Sequence, residues 1–278
     1  MRIKRIYCDI SATTPLDPRI GEFLADLGAY TYGNPSSIHR EGQAAKAVVE
    51  KSRRQIANAI NAQPEEIIFT SSGSESNNMV LKGVLHSGDH FITSSYEHPA
   101  ILKVLPFLES QQIETTLVNP DKNGIIQPAD IEQNIQENTR LISVMWVNNE
   151  LGTINPIFEI SSIAKERNIL FHSDAVQGIG KIESNVDRLN VDLMSLTAHK
   201  MYGPKGVGVL YVRQKRPRIR LSPQNYGGGQ EGKIRSGTLN VPGIVGFGQA
   251  CQLAQTEMQH EAERLTSLRD RLYQGLKN

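Results

Sequence analysis

Leu141-Ile142-Ser143-Val144-Met145-Trp146-Val147 is the stretch on which the fold turns. It is almost wholly apolar, with no alternation of polar and apolar side chains. A strand buried on both faces is what the centre of a parallel sheet requires. Working outward, short apolar or β-branched runs recur at residues 67–70, 91–94 and 113–118 before it, and at 169–172, 193–196 and 206–212 after it. Helical patterns fill the gaps. Residues 44–60 place Ala45, Val48, Val49, Ser52, Ile56 and Ile60 at steps of three and four, an amphipathic helix. Residues 75–85, 99–108, 130–137 and 161–167 also read as helices, the second of these opened by Pro99 in its first turn. Alternating strands and helices predict an α/β fold with a mostly parallel sheet and helices on both faces. From Val245 one long helix runs to the last residue, with Leu253, Met258, Leu265, Leu268, Leu272 and Leu276 near helical spacing and no terminating glycine.

Composition narrows the class. The chain has 278 residues, 30 Lys plus Arg against 29 Asp plus Glu, a net charge of +1 and two cysteines. So even a balance gives no reason to expect nucleic acid or an anionic membrane as partner. Cys8 and Cys251 cannot build a disulfide framework, and no metal-ligand spacing surrounds them, so no metal site is expected. No run approaches the roughly 18 apolar residues of a membrane span, and residues 1–10 lack the apolar core of a secretory signal. The expectation is a soluble, cytoplasmic protein.

In open α/β sheets ligands gather beyond the carboxyl ends of the strands. Four groups of polar residues fall there. Ser72-Gly73-Ser74-Glu75, between a strand and a helix, suits an anion, since small residues let the backbone approach and a helix N-terminus offers free N–H groups. It is neither a Walker loop nor a dinucleotide fingerprint, and an ordinary capped helix explains it equally well. His98, before Pro99 at a helix start, is either a cap or a catalytic imidazole. Asp174, with Gln177 behind it, is either an N-cap or a carboxylate held for a ligand. The sharpest signal is Thr197-Ala198-His199-Lys200, running into the Gly/Pro turn Met201-Tyr202-Gly203-Pro204-Lys205-Gly206. A lysine fixed in a tight turn has a placed amine, as a Schiff-base lysine must, unless it only satisfies the backbone of its own turn. An anion seat, a carboxylate, an aromatic histidine and a placed lysine are together the parts that pyridoxal phosphate needs.

These residues resemble a known family. Tyr7-Cys8-Asp9-Ile10-Ser11-Ala12-Thr13-Thr14-Pro15 and Gly33-Asn34-Pro35-Ser36-Ser37-Ile38-His39 are similar to the opening of cysteine desulfurases of the NifS/IscS type. The likeness continues through residues 70–78, Glu97-His98, Val147-Asn148-Asn149-Glu150-Leu151-Gly152, residues 172–177 and Ala198-His199-Lys200. It ends with Gly227-Gly228-Gly229-Gln230-Glu231 and Arg235-Ser236-Gly237-Thr238-Leu239.

The resemblance implies the large domain of a fold-type-I transferase of the class-V aminotransferase group, dependent on pyridoxal 5′-phosphate and homodimeric. By position Lys200 would be the Schiff-base lysine, and His98 would stack on the ring and move protons. Asp174 would face the pyridine nitrogen, and Gln177 and Asn149 would lie near the phenolic oxygen and the substrate. Gly73, Ser74, Thr197 and His199 would hold the phosphate, with Thr238 contributing across the dimer. The implied reaction removes sulfur from L-cysteine to give alanine and a persulfide, for a sulfur acceptor or an iron–sulfur scaffold protein. Its last nucleophile is an accessible, low-pKa cysteine on a mobile loop.

The sequence departs from the family at that point. The family's cysteine loop and its substrate-carboxylate arginine belong to a C-terminal small domain, expected here to be largely absent, with its leading helix cut at Asn278. The expected organisation is an N-terminal segment (1–15), a cofactor-binding large domain (16–250) and a helix toward a truncated small domain (251–278). Cys251 reads as a semi-buried helix residue and Cys8 as a strand residue packed among Tyr7 and Ile10, neither placed to carry a persulfide. The leading expectation is a cysteine desulfurase, or the large part of one, with turnover by this chain left open by the missing loop. The alternatives are another class-V lyase or aminotransferase, or a chain that only binds cofactor or dimerises.

Overall fold

A computed structural model describes residues 6–214 and 216–277. Seven strands form one sheet: β1 (Ile67–Thr70), β2 (His90–Ser94), β3 (Glu114–Val118), β4 (Thr139–Ser143), β5 (Leu170–Asp174), β6 (Leu193–Thr197) and β7 (Gly208–Val212). The helices are α1 (Pro18–Tyr30), α2 (Arg40–Ala59), α3 (Gly73–Val84), α4 (Pro99–Leu102), α5 (Leu105–Ser110), α6 (Pro128–Gln133), α7 (Ile157–Glu166), α8 (Val186–Leu189) and α9 (Val241–Lys277). The strand order is β1-β7-β6-β5-β4-β2-β3. β7 pairs antiparallel with both β1 and β6, and the pairs from β6 to β3 are parallel. The mostly parallel α/β sheet expected from the sequence is therefore present.

Successive strand residues point to opposite faces, and each face has its own core. Phe69, Ile92, Ile142, Phe171, Met194 and Val209 face α2, α7 and α9. Their neighbours Ile68, Phe91, Leu141, Leu170, Leu193 and Leu210 face α3, α4 and α5. Covering both faces buries β5 and β6 along their whole length, so their polar residues, such as His172 and Ser195, are held by hydrogen bonds.

Three readings are corrected. The apolar run 141–147 is not all strand: β4 ends at Ser143, and the Met145 N–H is taken by the Glu97 carboxylate at 2.7 Å instead of a strand partner. The helix read over 99–108 is two, because Pro106 brings no N–H and fixes a new first turn, so α5 restarts at Leu105. Cys8 is not packed in a strand; it is exposed, and Tyr7 and Ile10 beside it are also exposed. Cys251 is buried in α9, which runs unbroken from Val241, with its buried residues lying between Val241 and Cys251.

Candidate active site

Because β1, β2, β4, β5 and β6 point the same way, the segments leaving their carboxyl ends converge. They enclose a cavity of about 470 Å³ lined by Ser72, Gly73 and Ser74 after β1, by His98 after β2, and by Asn149 and Glu150 after β4. Asp174 and Gln177 come from the end of β5, and Thr197, His199 and Lys200 from the end of β6. Every site residue singled out from the sequence is on this wall except Thr238, which is exposed elsewhere on the chain.

The anion seat is the start of α3. The N-cap Ser72 accepts the Glu75 N–H through its Oγ. A Cβ on Gly73 would stand 2.7 Å from Val176 Cγ2, so only glycine lets this turn sit against the β5 loop. Beside this turn Thr197 Oγ1 donates to the Val207 carbonyl, and His199 Nδ1 lies 3.1 Å from Thr13 Oγ1. Burial, reinforced by the Lys200 and Lys205 charges, lowers the His199 pKa.

Asp174 is a buried carboxyl on the cavity wall. Asn77 Nδ2 donates to its Oδ2 at 2.7 Å and the Val176 N–H to its Oδ1 at 3.0 Å. Burial pushes this carboxyl up, against those hydrogen bonds and the charges of His98 and Lys200. Lys200 donates through Nζ to the carbonyl oxygens of Ser11 at 2.5 Å and Ala12 at 2.8 Å. Burial lowers its pKa, opposed by Asp174, Asp9 and Glu150. His98 caps α4, its Nδ1 accepting the Ala100 N–H at 3.1 Å, so the outer ring nitrogen is left for other work. Gln177 donates to the Ser11 carbonyl and accepts from Lys181 Nζ; Asn149 donates to Glu150 Oε1.

Sequence reasoning missed Asn77, the segment from Asp9 to Ala12, and Glu97. Asn77 had a signal: it follows Gly73 by four residues and shares its helix face. Glu97 is buried, with Oε1 accepting from Ser94 Oγ and the Met145 N–H and Oε2 without a partner among the described residues. Burial pushes its pKa up to about 8, so it is largely protonated at neutral pH. Among the described residues no group of His, Cys, Asp and Glu could hold a metal ion, and no helix is long and apolar enough to cross a membrane.

A parallel-sheet cavity with a lysine, a buried aspartate and a small-residue helix N-terminus defines a class, and comparison gives the same one: the chain belongs to the class-V aminotransferase family, whose model matches residues 6–278. Its relatives within that family are cysteine desulfurases of the NifS/IscS type. Cysteine desulfurase IscS of Stutzerimonas stutzeri is 47% identical over 280 residues, covering 98% of this chain and 69% of the relative. The solved structure of a NifS-like protein superposes with a TM-score of 0.94 at 40% identity, over 99% of this chain and 76% of the other. A second, SspA in complex with cysteine, gives 0.85 at 41%, over 88% of this chain and 72% of the other.

Pyridoxal 5′-phosphate is the cofactor of this family, and the residues here fit it. The glycine turn leaves room for a phosphate at a helix N-terminus, the buried Asp174 suits a ring N–H⁺, and Lys200 Nζ is in the same cavity. Asn77 Oδ1, from a residue also on this wall, is buried with no partner among the described residues.

Proposed function

We propose that this chain holds pyridoxal 5′-phosphate in the β-sheet cavity and removes sulfur from L-cysteine, leaving alanine. The observation that carries the reading is the convergence of Lys200, Asp174, His98 and the residue 72–74 turn on one cavity. When bound, the cofactor supplies an electron sink for a carbanion at the substrate α-carbon. In this reading Gly73, Ser74, Thr197 and His199 hold the phosphate, and Asp174 holds a proton on the pyridine nitrogen. Asn149 and Gln177, on the same wall, would serve the phenolic oxygen. Lys200 anchors the cofactor, and its amine takes the α-proton of the substrate. The lowered pKa favours that, since a neutral amine is the base. His98 would meet the ring face and would carry protons through its outer nitrogen.

Residues 16–250 make up the cofactor-binding body in this proposal, preceded by the 1–15 segment, with residues 251–278 as the helix toward a second lobe. Two copies pair in this reading, and the exposed Tyr30, Tyr32, Ile38 and Tyr226 are available to that contact. Thr238 reaches the partner's phosphate. Of the two thiols in this sequence Cys251 is buried and pushed up, so it is not the group that takes the sulfur.

The test is incubation with the cofactor, L-cysteine and dithiothreitol, which reduces the released sulfur. Alanine and sulfide in equal amounts support the desulfurase. Alanine without sulfide or any protein persulfide would indicate other class-V chemistry, and no alanine would indicate a chain that only binds cofactor.

A further inference from the structure

We infer, resting on the cofactor reading above, that Arg235 is a positioning residue of the phosphate seat: it neutralises Glu75 at the base of the α3 N-terminus so that this helix end can hold a dianion. Glu75 is the third residue of α3, directly behind the turn that lines the cavity, and is not itself on the cavity wall. Its Oε2 accepts the Ser71 N–H, and its Oε1 accepts from Arg235 Nε and Asn225 Nδ2, each at 2.9 Å. Arg235 Nη2 lies 3.4 Å from Oε2, so the guanidinium spans both oxygens. The side chains are only 18% and 16% exposed, which keeps solvent from screening the pair.

A carboxylate in the first turn is favourable for a helix alone, because it meets the positive end of the dipole. A phosphate arriving at the same end finds that position taken by a like charge. Burial pushes the Glu75 carboxyl up, yet the Arg235 guanidinium and the Ser71 N–H outweigh it and hold the group below the ordinary carboxylate range. Glu75 therefore stays charged, and a fixed cation is what cancels it. Arg235 is fixed: the backbone at 235 bridges Asn225, Ser236 Oγ donates to the Gly228 carbonyl at 2.7 Å, and the Gly237 N–H donates to Gln230 Oε1 at 3.1 Å. The glycine-rich 227–231 segment and the 235–239 segment thus serve the seat from outside the cavity.

The experiment compares wild type, R235M, E75Q and E75Q/R235M for equilibrium binding of pyridoxal 5′-phosphate and of pyridoxal, which lacks the phosphate. R235M is expected to weaken pyridoxal 5′-phosphate by about tenfold and pyridoxal by less than about twofold. The double variant is expected within about threefold of wild type, because removing the carboxylate removes the need for the cation. E75Q keeps an acceptor for the Ser71 N–H. It is expected to gain more thermal protection from inorganic phosphate than wild type does, a readout that holds even if R235M folds poorly. Equal losses for both ligands, an R235M that binds like wild type, no recovery in the double variant, or weaker phosphate protection in E75Q would each overturn the inference. A wild type that binds no pyridoxal 5′-phosphate would instead remove the cofactor reading, and this inference with it.

Discussion

Asn77 Nδ2 donates to Asp174 Oδ2 over 2.7 Å, joining two buried side chains 97 residues apart in the chain. The bond fixes the carboxylate in one rotamer and leaves its charge directed at the cavity. Removing a hydrogen bond to a buried charged group costs about 1.5–3 kcal/mol. Asn77→Ala is therefore expected to lower kcat by about ten- to a hundredfold with KM for L-cysteine little changed, since the bond acts on the ring and not on substrate contacts. Asn77→Asp should do worse, placing two carboxylates together. Steady-state kinetics on the cofactor-loaded variants checks both.

Two buried groups give stability opposite slopes with pH. Glu97 rises from an ordinary 4.5 to about 8 on folding, because it is taken out of water. Between those values the folded chain keeps a proton that the unfolded chain has lost, so stability falls as pH rises through the window. His172, held by Ser143 Oγ and Ser195 Oγ across β4, β5 and β6, drops from 6.5 to about 3 by burial, so its stability is lost as pH falls from 6.5 toward 3. Glu97→Gln keeps an acceptor for Met145 and removes the alkaline slope. Its Tm should exceed that of wild type by about 3–6 °C more at pH 8.5 than at pH 5. An equal difference at the two pH values would contradict the assignment.

Arg53 spans both oxygens of Glu231 at 2.7 and 3.0 Å and stacks over Phe69 at 4.4 Å. Glu231 is 2% exposed and also accepts the Phe69 N–H. Arg53→Ala strands a buried carboxylate, which costs about 3–5 kcal/mol, whereas Arg53→Ala with Glu231→Gln should recover part of it. Urea denaturation midpoints measure the difference.

Gly208 in β7 faces the N-cap of α3: a Cβ there would stand 2.5 Å from the Ser72 backbone carbonyl carbon. Gly208→Ala is expected to displace the anion seat and weaken cofactor binding by tenfold or more, on the order of 1.4 kcal/mol. Gly28 in α1 has open space around its Cβ position, and Gly28→Ala should leave binding unchanged while adding about 0.5–1 kcal/mol of stability. Cofactor titration and thermal melts separate the two.

The strands were legible because two covered faces favour short apolar runs such as Ile67-Ile68-Phe69. The motif ends were legible for a related reason: Asp174, Thr197 and Lys200 interrupt apolar runs at strand termini. Contacts made by tertiary structure were not. Nothing local to Glu97 says that it replaces a strand partner for Met145, and nothing local to Ser11 says that its carbonyl meets Lys200. α1 went unread although Asp17 and Pro18 form a proper cap, because Ile20 is its one fully buried residue and the apolar stripe is thin. Cys8 misled because apolar neighbours suggest burial, whereas Tyr7 and Ile10 are at the surface.

The central claim is that Lys200 is the amine that takes the cofactor. Lys181 is the natural competitor, because burial and the nearby Lys200 charge lower its pKa to about 8 and Gln177 holds its amine near the cavity. The most direct measurement is borohydride reduction of the protein loaded with pyridoxal 5′-phosphate, followed by peptide mapping of the pyridoxyl group. The account predicts one modified peptide, carrying the group on Lys200, and no such adduct in Lys200→Ala. A pyridoxyl group on Lys181, or spread over surface lysines with Lys200 unmodified, would contradict it.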